Sequence, residues 1–286
     1  MKALWVGLGL LAASCAHFNR AEPRTTAPVI EAAPAVPEET ATFKVVTYNL
    51  HGEPAGPVAR ALSTTRAIRG ADWVLLQEVE AHPDETAPRA VRIARLLGMG
   101  AVYAPGYGLG DGGSHGVALL SRYPLKEIRI IELPRKFVVI NSARRVAIGA
   151  TAMVGGLEIR IYSVHLDNRL NPAERREQLG PVIDDAKGYF KLPTIIAGDV
   201  NTSPFCWALH LLPLPCAIQD DRLESFVRRH GFDTPVVGSG PTSPFLDMRL
   251  DAIYTRGFEV YEYGVARRVK VSDHLPLWAQ MRLAGR

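Results

Sequence analysis

Eight polar side chains stand where apolar, strand-like runs of the sequence end. They comprise three aspartates, one glutamate, two asparagines and two histidines: Asn49, Glu78, His165, Asp199, Asn201, Asp251, Asp273 and His274. Carboxylate and amide oxygens are the hard ligands that Mg²⁺ or Mn²⁺ prefers. Histidines transfer protons near neutral pH. Because cysteine is absent from the set, the pattern argues against a structural zinc site and indicates metal-assisted acid–base chemistry.

Each of these residues has an ordinary explanation when it is considered alone. Asn49 suits a turn, Glu78 suits an exposed strand edge, and a single histidine such as His165 is more often a core residue than a catalyst. Asp251 is harder to explain in this way, because a carboxylate inside an apolar run needs a partner. Their joint occurrence at the ends of successive strands favours one common site.

The elements that must position these side chains are strand-like runs rich in β-branched and aromatic residues, with helices between them. Gly155 and Gly156 separate two of the runs and predict a hairpin. Three segments predict helices: residues 57–70, 87–98 and 172–190. The third begins with Asn171 as a cap and Glu174 three residues later. Many strands with a few long helices predict an α+β or layered α/β domain.

The size and charge of the chain restrict its class. Its 286 residues suit one sizeable globular domain or two small ones. The formal net charge of +4 is a mild basic bias. Such a bias is compatible with an anionic substrate but falls far short of a nucleic-acid-binding tail.

The amino-terminal residues 1–15, MKALWVGLGLLAASC, have the pattern of an export signal. Lys2 precedes a short apolar run, and small residues precede Cys15. The run is too short to span a membrane. The end of the segment resembles a bacterial lipobox, which would make Cys15 the lipidated first residue of the mature protein. Cleavage by an ordinary signal peptidase and a plain buried anchor are the alternatives.

The chain beyond Cys15 divides into a linker and a body. Residues 16–41 are rich in Ala, Pro, Thr and Glu and predict a flexible linker. Residues 42–286 form the predicted folded domain. We therefore expect an exported protein of the bacterial cell envelope, lipid-anchored to a membrane and facing the periplasm or the exterior.

Two further cysteines, Cys206 and Cys216, lie close together in the sequence. In an exported protein such a pair suggests one disulfide that closes a short loop. Two buried thiols are the alternative.

Seven motifs occur in one order between Thr47 and Leu277: TYNLHG, LLQEV, GVALLSRYPL, SVHLD, GDVNTSP, RLDAIY and SDHLPL. In these motifs the chain resembles the endonuclease/exonuclease/phosphatase superfamily. That superfamily includes deoxyribonuclease I, abasic-site nucleases of the exonuclease III type, neutral sphingomyelinases and inositol polyphosphate 5-phosphatases. The resemblance implies a four-layered αββα sandwich, in which two packed mixed β-sheets are flanked by helices and the site lies at their shared edge.

The resemblance also implies roles at the metal and the phosphate. Glu78 would be the principal ligand of Mg²⁺, with Mn²⁺ as an alternative, and Asn49 and Asp273 would join it. His274 would act as the general base or hold the scissile phosphate. Asp251 would orient His274 through a hydrogen bond.

Four other residues receive roles from the same resemblance. Asp199 would position the attacking water or protonate the leaving oxygen, and Asn201 would bind a phosphate oxygen. His165 matches the second histidine of deoxyribonuclease I and the sphingomyelinases, which abasic-site nucleases lack. Arg145 could steer a phosphate or be an ordinary surface arginine.

These roles imply a monomeric Mg²⁺-dependent phosphodiesterase, and an exported nuclease acting on nucleic acid is the favoured form. A sphingomyelinase-type enzyme acting on phospholipid is one alternative. For it, the segment LHLLPLPC after Trp207 is a candidate apolar hairpin, although we expect a helix and a loop packed on the core there. An inositol-phosphate phosphatase is another alternative. A non-enzymatic phosphate-binding module is opposed by the complete proton-transfer set.

Overall fold

The computed structural model of the protein describes residues 20–33, 41–138, 142–244 and 247–285. The prediction of an export signal with a lipidated Cys15 lies outside the described residues. Within them the strands are β1 (Val29–Glu31), β2 (Phe43–Asn49), β3 (Trp73–Ala81), β4 (Gly100–Gly108), β5 (Ser114–Ser121), β6 (Leu125–Leu133), β7 (Arg145–Val154), β8 (Leu157–His165), β9 (Thr194–Asp199), β10 (Phe205–Ala208), β11 (Leu212–Pro215), β12 (Asp251–Arg256), β13 (Phe258–Val265) and β14 (Leu277–Leu283). The helices are α1 (Ala55–Thr64), α2 (Arg89–Leu97), α3 (Pro172–Gly188) and α4 (Gln219–Arg229).

Two mixed sheets form the centre of the domain. The first has seven strands in the order β1-β4-β5-β3-β2-β14-β13, and the second has five in the order β12-β9-β8-β7-β6. Each sheet contains one parallel pair, β2 with β3 in the first sheet and β8 with β9 in the second. All other neighbours are antiparallel.

The two sheets pack face to face, and helices cover their outer faces. Val45 and Leu75 of the first sheet belong to the same apolar cluster as Ile161 and Ile195 of the second. A second cluster joins the outer face of the first sheet to α1 and α2, and a third joins the outer face of the second sheet to α3 and α4. This arrangement confirms the predicted αββα sandwich, because each sheet buries one face against the other sheet and one face against helices.

Local sequence signals explain several element boundaries. Helix α3 begins with the predicted capping box, in which the Asn171 N–H donates to the Glu174 carboxylate at 3.0 Å. Gly98 ends α2 in the left-handed conformation, with φ of 66°. Helix α1 ends at Thr64, earlier than the predicted stop at residue 70. There the hydroxyls of Ser63 and Thr64 donate to a backbone carbonyl of the preceding turn, which competes with helical pairing.

The prediction of a flexible linker does not hold for residues 20–33. Strand β1 pairs with β4 in an antiparallel register, which adds an edge strand to the first sheet. Glu31 also accepts two hydrogen bonds from Arg95 of α2, at 2.9 and 3.2 Å. Composition suggested a linker because these residues lack apolar periodicity, but backbone pairing with an existing sheet edge requires none.

The segment after Trp207 also differs from the expected helix and loop packed on the core. Strands β10 and β11 form a hairpin, and its side chains point largely to solvent. Leu209 and Leu212 are 81% and 63% exposed. Cys206 and Cys216 are joined by a disulfide across the base of this hairpin, with their Cα atoms 5.6 Å apart.

Candidate active site

The register of the second sheet brings three of the singled-out residues into one row. Asp199 lies in the middle of the row, with His165 as its parallel partner on one side and Asp251 as its antiparallel partner on the other. All three are almost fully buried. In the first sheet, Asn49 at the end of β2 donates from Nδ2 to Asp199 Oδ2 at 2.9 Å and to Glu78 Oε1 at 3.1 Å. The ends of both sheets therefore meet in one cluster of polar groups.

Glu78 reaches this cluster because strand β3 is irregular there. The pairing of β3 with β5 shifts register between Leu76 and Val79, and Glu78 has a positive φ of 53°. A bulge of this kind redirects a side chain out of the regular alternation of a strand. The conformation is strained for a residue with a side chain, and such strain is typical of functional sites.

His274 and Asp251 form a buried pair. His274 Nδ1 lies 2.9 Å from Asp251 Oδ2, and His274 Nε2 lies 3.9 Å from Asp199 Oδ2. Burial lowers the pKa of His274, but the Asp251 carboxylate outweighs it and raises the pKa to about 10. Burial, together with the charges of Asp251 and Glu78, raises the pKa of Asp199 to about 7. A carboxyl group with this pKa can both take up and release a proton near neutrality.

His165 is held in one tautomer by Arg145. An Arg145 N–H donates to His165 Nδ1 at 3.1 Å, so the proton of the neutral ring is on Nε2. Burial, followed by the charge of Arg145, holds the pKa of His165 well below its usual value. Arg145 itself donates to Asp167 at 2.7 Å and is nearly buried, so it is not a surface arginine. It positions the histidine that faces Glu78 and Asp199.

Two histidines that the sequence reasoning missed also contact Glu78. His51 Nδ1 and His115 Nε2 each lie 3.5 Å from Glu78 Oε2. Burial alone would raise the pKa of Glu78, but the contacts with His115 and His51 outweigh it and hold the pKa well below its usual value. A signal was present in the sequence, because His51 follows Asn49 by two residues and His115 opens the apolar run of β5.

The remaining predicted residues occupy the same region, but in different ways. Asn201 Nδ2 donates to the Leu166 carbonyl at 2.9 Å, so the amide that was expected to bind a phosphate oxygen is bonded to the backbone in this structure. The Oδ1 atom of Asn49 accepts from the His51 N–H at 3.0 Å, so in this arrangement the oxygen that would ligate a metal is already bonded. Asp273 is half exposed, and its Oδ2 lies 3.7 Å from His51 Nδ1.

A buried arginine from helix α3 supports the loops that carry the site. The Arg175 guanidinium donates to the carbonyls of Asp167 and Leu170, which follow β8, and to that of Val200, which follows β9. Burial lowers the pKa of Arg175 to about 10. The sequence did not indicate that Arg175 is buried, because an arginine in a helix is ordinarily exposed.

The donor set fits a divalent cation. Ligand atoms of Glu78, His165 and Asp199 all lie within 4.8 Å of one another. The contacts with His115 and His51 hold the pKa of Glu78 well below its usual value, which favours the charged form that binds a cation. Asp273 offers an exposed carboxylate, and His51 Nδ1 lies 3.5 Å from Glu78 Oε2 and 3.7 Å from Asp273 Oδ2. The carboxylates of this set are suitable ligands for Mg²⁺ or Mn²⁺.

The family model described as the Endonuclease/Exonuclease/phosphatase family matches residues 46–274, which include every member of the cluster from Asn49 to His274. The chain belongs to this family. Members of the family are hydrolases that act on phosphoesters. No curated protein sequence is a match for this chain.

Solved structures share the fold of this family member at low sequence identity. An endonuclease/exonuclease/phosphatase from Beutenbergia cavernae DSM 12333 has a TM-score of 0.68 and 21% identity, and the match covers 86% of this chain and 72% of that one. The human Nocturnin catalytic domain with a bound sulfate anion has a TM-score of 0.64 and 16% identity, over 92% and 99% of the two chains. A mannosyl-6-phosphatase from Bacteroides thetaiotaomicron VPI-5482 has a TM-score of 0.59 and 18% identity, over 84% and 99%.

Proposed function

We propose that this family member is a divalent-metal-dependent phosphodiester hydrolase. The observation that carries the proposal is the row of His165, Asp199 and Asp251, with His274 bonded to Asp251 and Glu78 facing the row from the other sheet. Hydrolysis of a phosphodiester requires charge neutralisation at phosphorus and proton transfer to and from oxygen. The cluster contains groups for each task, and a pure binding module has no use for all of them.

The position of each side chain in the cluster indicates its role in the reaction. Glu78 and Asp273 would hold the cation, which supplies charge neutralisation at the phosphate when bound. Asp199 lies between the two histidines, where it can position water or pass a proton to the leaving oxygen. His165 presents its Nε2–H to the cluster, and His274 presents Nε2 while Asp251 holds its Nδ1.

Nucleic acid is the substrate that we favour, and the reaction would be that of a nuclease. The phosphates of a nucleic acid bind to cationic side chains, and its bases stack on aromatic ones. At the edge that carries the cluster, the exposed Arg20 lies with its guanidinium carbon 5.4 Å from the centre of the Tyr107 ring, which places a cation and an aromatic group there. The mild positive charge of the chain agrees with this choice.

A sphingomyelinase-type lipid phosphodiesterase is the second candidate, because the structure contains an exposed apolar hairpin. Four leucines of the hairpin region are exposed: Leu209, Leu211, Leu212 and Leu214. The hairpin follows the loop of Asn201, and the side chain of Asn171 pairs with the backbone of Trp207 at 2.8 and 3.0 Å. A fixed, exposed apolar surface of this kind is uncommon unless something binds to it.

A substrate panel tests the proposal. The purified full-length protein is incubated with Mg²⁺, Mn²⁺ or EDTA and offered bis(4-nitrophenyl) phosphate, 4-nitrophenyl phosphate, plasmid DNA, RNA and sphingomyelin. We expect diester hydrolysis that EDTA abolishes, with DNA or RNA cleaved. Turnover of sphingomyelin alone would select the second candidate, and turnover of the monoester alone would reject a diesterase.

A matched pair of histidine variants separates chemistry from folding. His274→Ala should lower the rate by a factor of about 10²–10⁴, because it removes a proton-transfer or phosphate-holding group. His230→Ala should leave the rate unchanged, since His230 caps the outer helix α4 and its Nδ1 contacts only a backbone carbonyl of that helix. Equal rates for the wild type and His274→Ala would refute the role of this pair.

We also propose that residues 1–15 direct export and that Cys15 carries the lipid anchor. The support is the signal pattern of the sequence. Metabolic labelling with a palmitate analogue should mark the wild type and leave Cys15→Ser unmarked. Among the residues that the structure describes, none of the helices has the length and apolarity of a membrane span.

A further inference from the structure

The segment 20–33, which we call the N-terminal strap, ends at the edge that carries the active site. Its strand β1 pairs with residues 101–103 in the first part of β4, and its first residues lie beside the end of β4. There the Gly108 N–H donates to the Ala21 carbonyl at 2.8 Å, and the Arg20 N–H donates to the Ser142 carbonyl at 3.1 Å. Arg20 is thus fixed by its backbone at the same edge as the polar cluster.

A column of stacked groups connects Arg20 with Glu78. The Arg20 guanidinium carbon lies 5.4 Å from the centre of the Tyr107 ring. Tyr107 stacks on His115, with ring centres 4.4 Å apart and planes 17° from parallel. His115 in turn lies 3.5 Å from Glu78 Oε2. The strap therefore places a cation two aromatic rings away from the candidate metal ligand.

Arg20 differs from Arg144 and Arg145 at this edge, because among the described residues its guanidinium contacts the Tyr107 ring and has no hydrogen-bonded partner. Arg145 is bonded to Asp167 and His165, and Arg144 is bonded to Glu132 and to a backbone carbonyl. Within the described ranges, the Arg20 side chain has no acidic partner and is exposed. A guanidinium presents its donors in a fork that matches two oxygens of a phosphate.

We propose that the N-terminal strap forms part of the substrate-binding cleft and that Arg20 binds a second phosphate of the substrate, next to the one that is hydrolysed. This inference rests on the proposed phosphodiesterase function with a nucleic acid substrate. A strand with one phosphate at Glu78 would extend a neighbouring phosphate towards Arg20.

Binding of short nucleotides tests this inference without turnover. Titration calorimetry in EDTA compares the dinucleotide TpT with its phosphorylated forms pTpT and TpTp. We expect one of the phosphorylated forms to bind the wild type about fivefold to tenfold more tightly than TpT, as for one charge-assisted contact near the surface. Arg20→Ala should remove this preference, and Arg20→Lys should restore part of it, because lysine keeps the charge and loses the fork.

Two matched controls exclude a general effect on the strap. Arg24→Ala removes an arginine of the same strap, whose side chain lies against Gly112, and should keep the preference. Gly108→Ala keeps Arg20 but places a Cβ 2.7 Å from the Glu22 carbonyl oxygen, which should displace the strap and abolish the preference. Gly110→Ala, where a Cβ meets open space, should behave as the wild type.

The outcomes separate this inference from the function on which it rests. A wild type that prefers neither phosphorylated dinucleotide, or an Arg20→Ala variant that keeps the preference, overturns the inference even if bis(4-nitrophenyl) phosphate is hydrolysed. Loss of the preference in Arg20→Ala and Gly108→Ala alone supports it. Failure to hydrolyse any diester overturns the proposed function. The binding preference of the wild type and its loss in Arg20→Ala decide whether Arg20 binds a phosphate.

Discussion

Gly198 precedes Asp199 in β9, and replacing it with alanine tests whether the close approach of β8 and β9 sets the geometry of the site. A Cβ at residue 198 would lie 1.9 Å from the carbonyl oxygen of Val164, the residue before His165. No real Cβ contact is this short, so the two strands must separate by about 1 Å or more. The strands that move carry Asp199 and His165 at their ends.

The magnitude of the effect follows from that displacement. A misplacement of about 1 Å at reacting groups costs about 100-fold in rate. Overpacking between two central strands costs about 1–3 kcal/mol of unfolding free energy. For a domain of this size each kcal/mol lowers Tm by about 2–4 °C. We therefore expect Gly198→Ala to fold with a Tm several degrees lower and to lose most of its kcat.

The assay measures kcat for bis(4-nitrophenyl) phosphate with Mg²⁺ and Tm by circular dichroism. Gly180→Ala is the matched control, because residue 180 lies in α3 with no atom within 4 Å of the added Cβ. It should keep kcat and gain up to about 1 kcal/mol from better helix propensity. A Gly198→Ala variant with the kcat and Tm of the wild type would refute the reasoning.

Three further predictions concern other parts of the molecule. Asp251→Asn should reduce kcat by about 10²–10⁴-fold at unchanged secondary structure, because a neutral amide no longer orients His274 or stabilises its protonated ring, whose pKa the Asp251 carboxylate raises. A variant with the wild-type kcat would contradict this role. Replacing Cys206 and Cys216 with serine should lower the unfolding free energy by about 2–3 kcal/mol, as expected for a crosslink over a sequence separation of 10. Urea titration measures this change, and an unchanged unfolding free energy would show that the crosslink is absent in solution. Arg175→Met should cost about 3–5 kcal/mol in the same titration, since three buried carbonyls lose their donor; a loss below 1 kcal/mol would show that water replaces the guanidinium.

The sequence predicted those elements whose own residues carry a clear pattern. Strands with apolar, β-branched runs and helices with caps were placed within a few residues, as α3 with its capping box illustrates. Strand β4, with the sequence GAVYAPGYG, was missed because glycine and proline interrupt its pattern. Strand β13, with the sequence FEVYEYGV, was missed although its valines and aromatic residues are typical of a strand. Their places in the sheet depend on neighbours that are distant in sequence.

The residue types of the site were visible in the sequence, but their contacts were not. The sequence could show that Asp199 and Asp251 end apolar runs. Only the antiparallel register of β9 with β12 shows that the two residues are direct partners, where burial and then the charge of Asp251 raise the pKa of Asp199. The contacts of His115 and Arg20 with the column beside Glu78 depend on β4, the strand that local patterning did not reveal.

The position of the site follows from the two parallel strand pairs. Among the described residues, the parallel pair of each sheet carries polar side chains at or near its end, with Asn49 near Glu78 in the first sheet and His165 beside Asp199 in the second. The packing of the sheets brings these ends together, and the Asn49 amide bonds to a carboxylate of each. Asn49 therefore links the two sheets and also lies beside the candidate cation site. A change that rotates one sheet on the other would lengthen these two hydrogen bonds, so the geometry of the site depends on how the sheets pack.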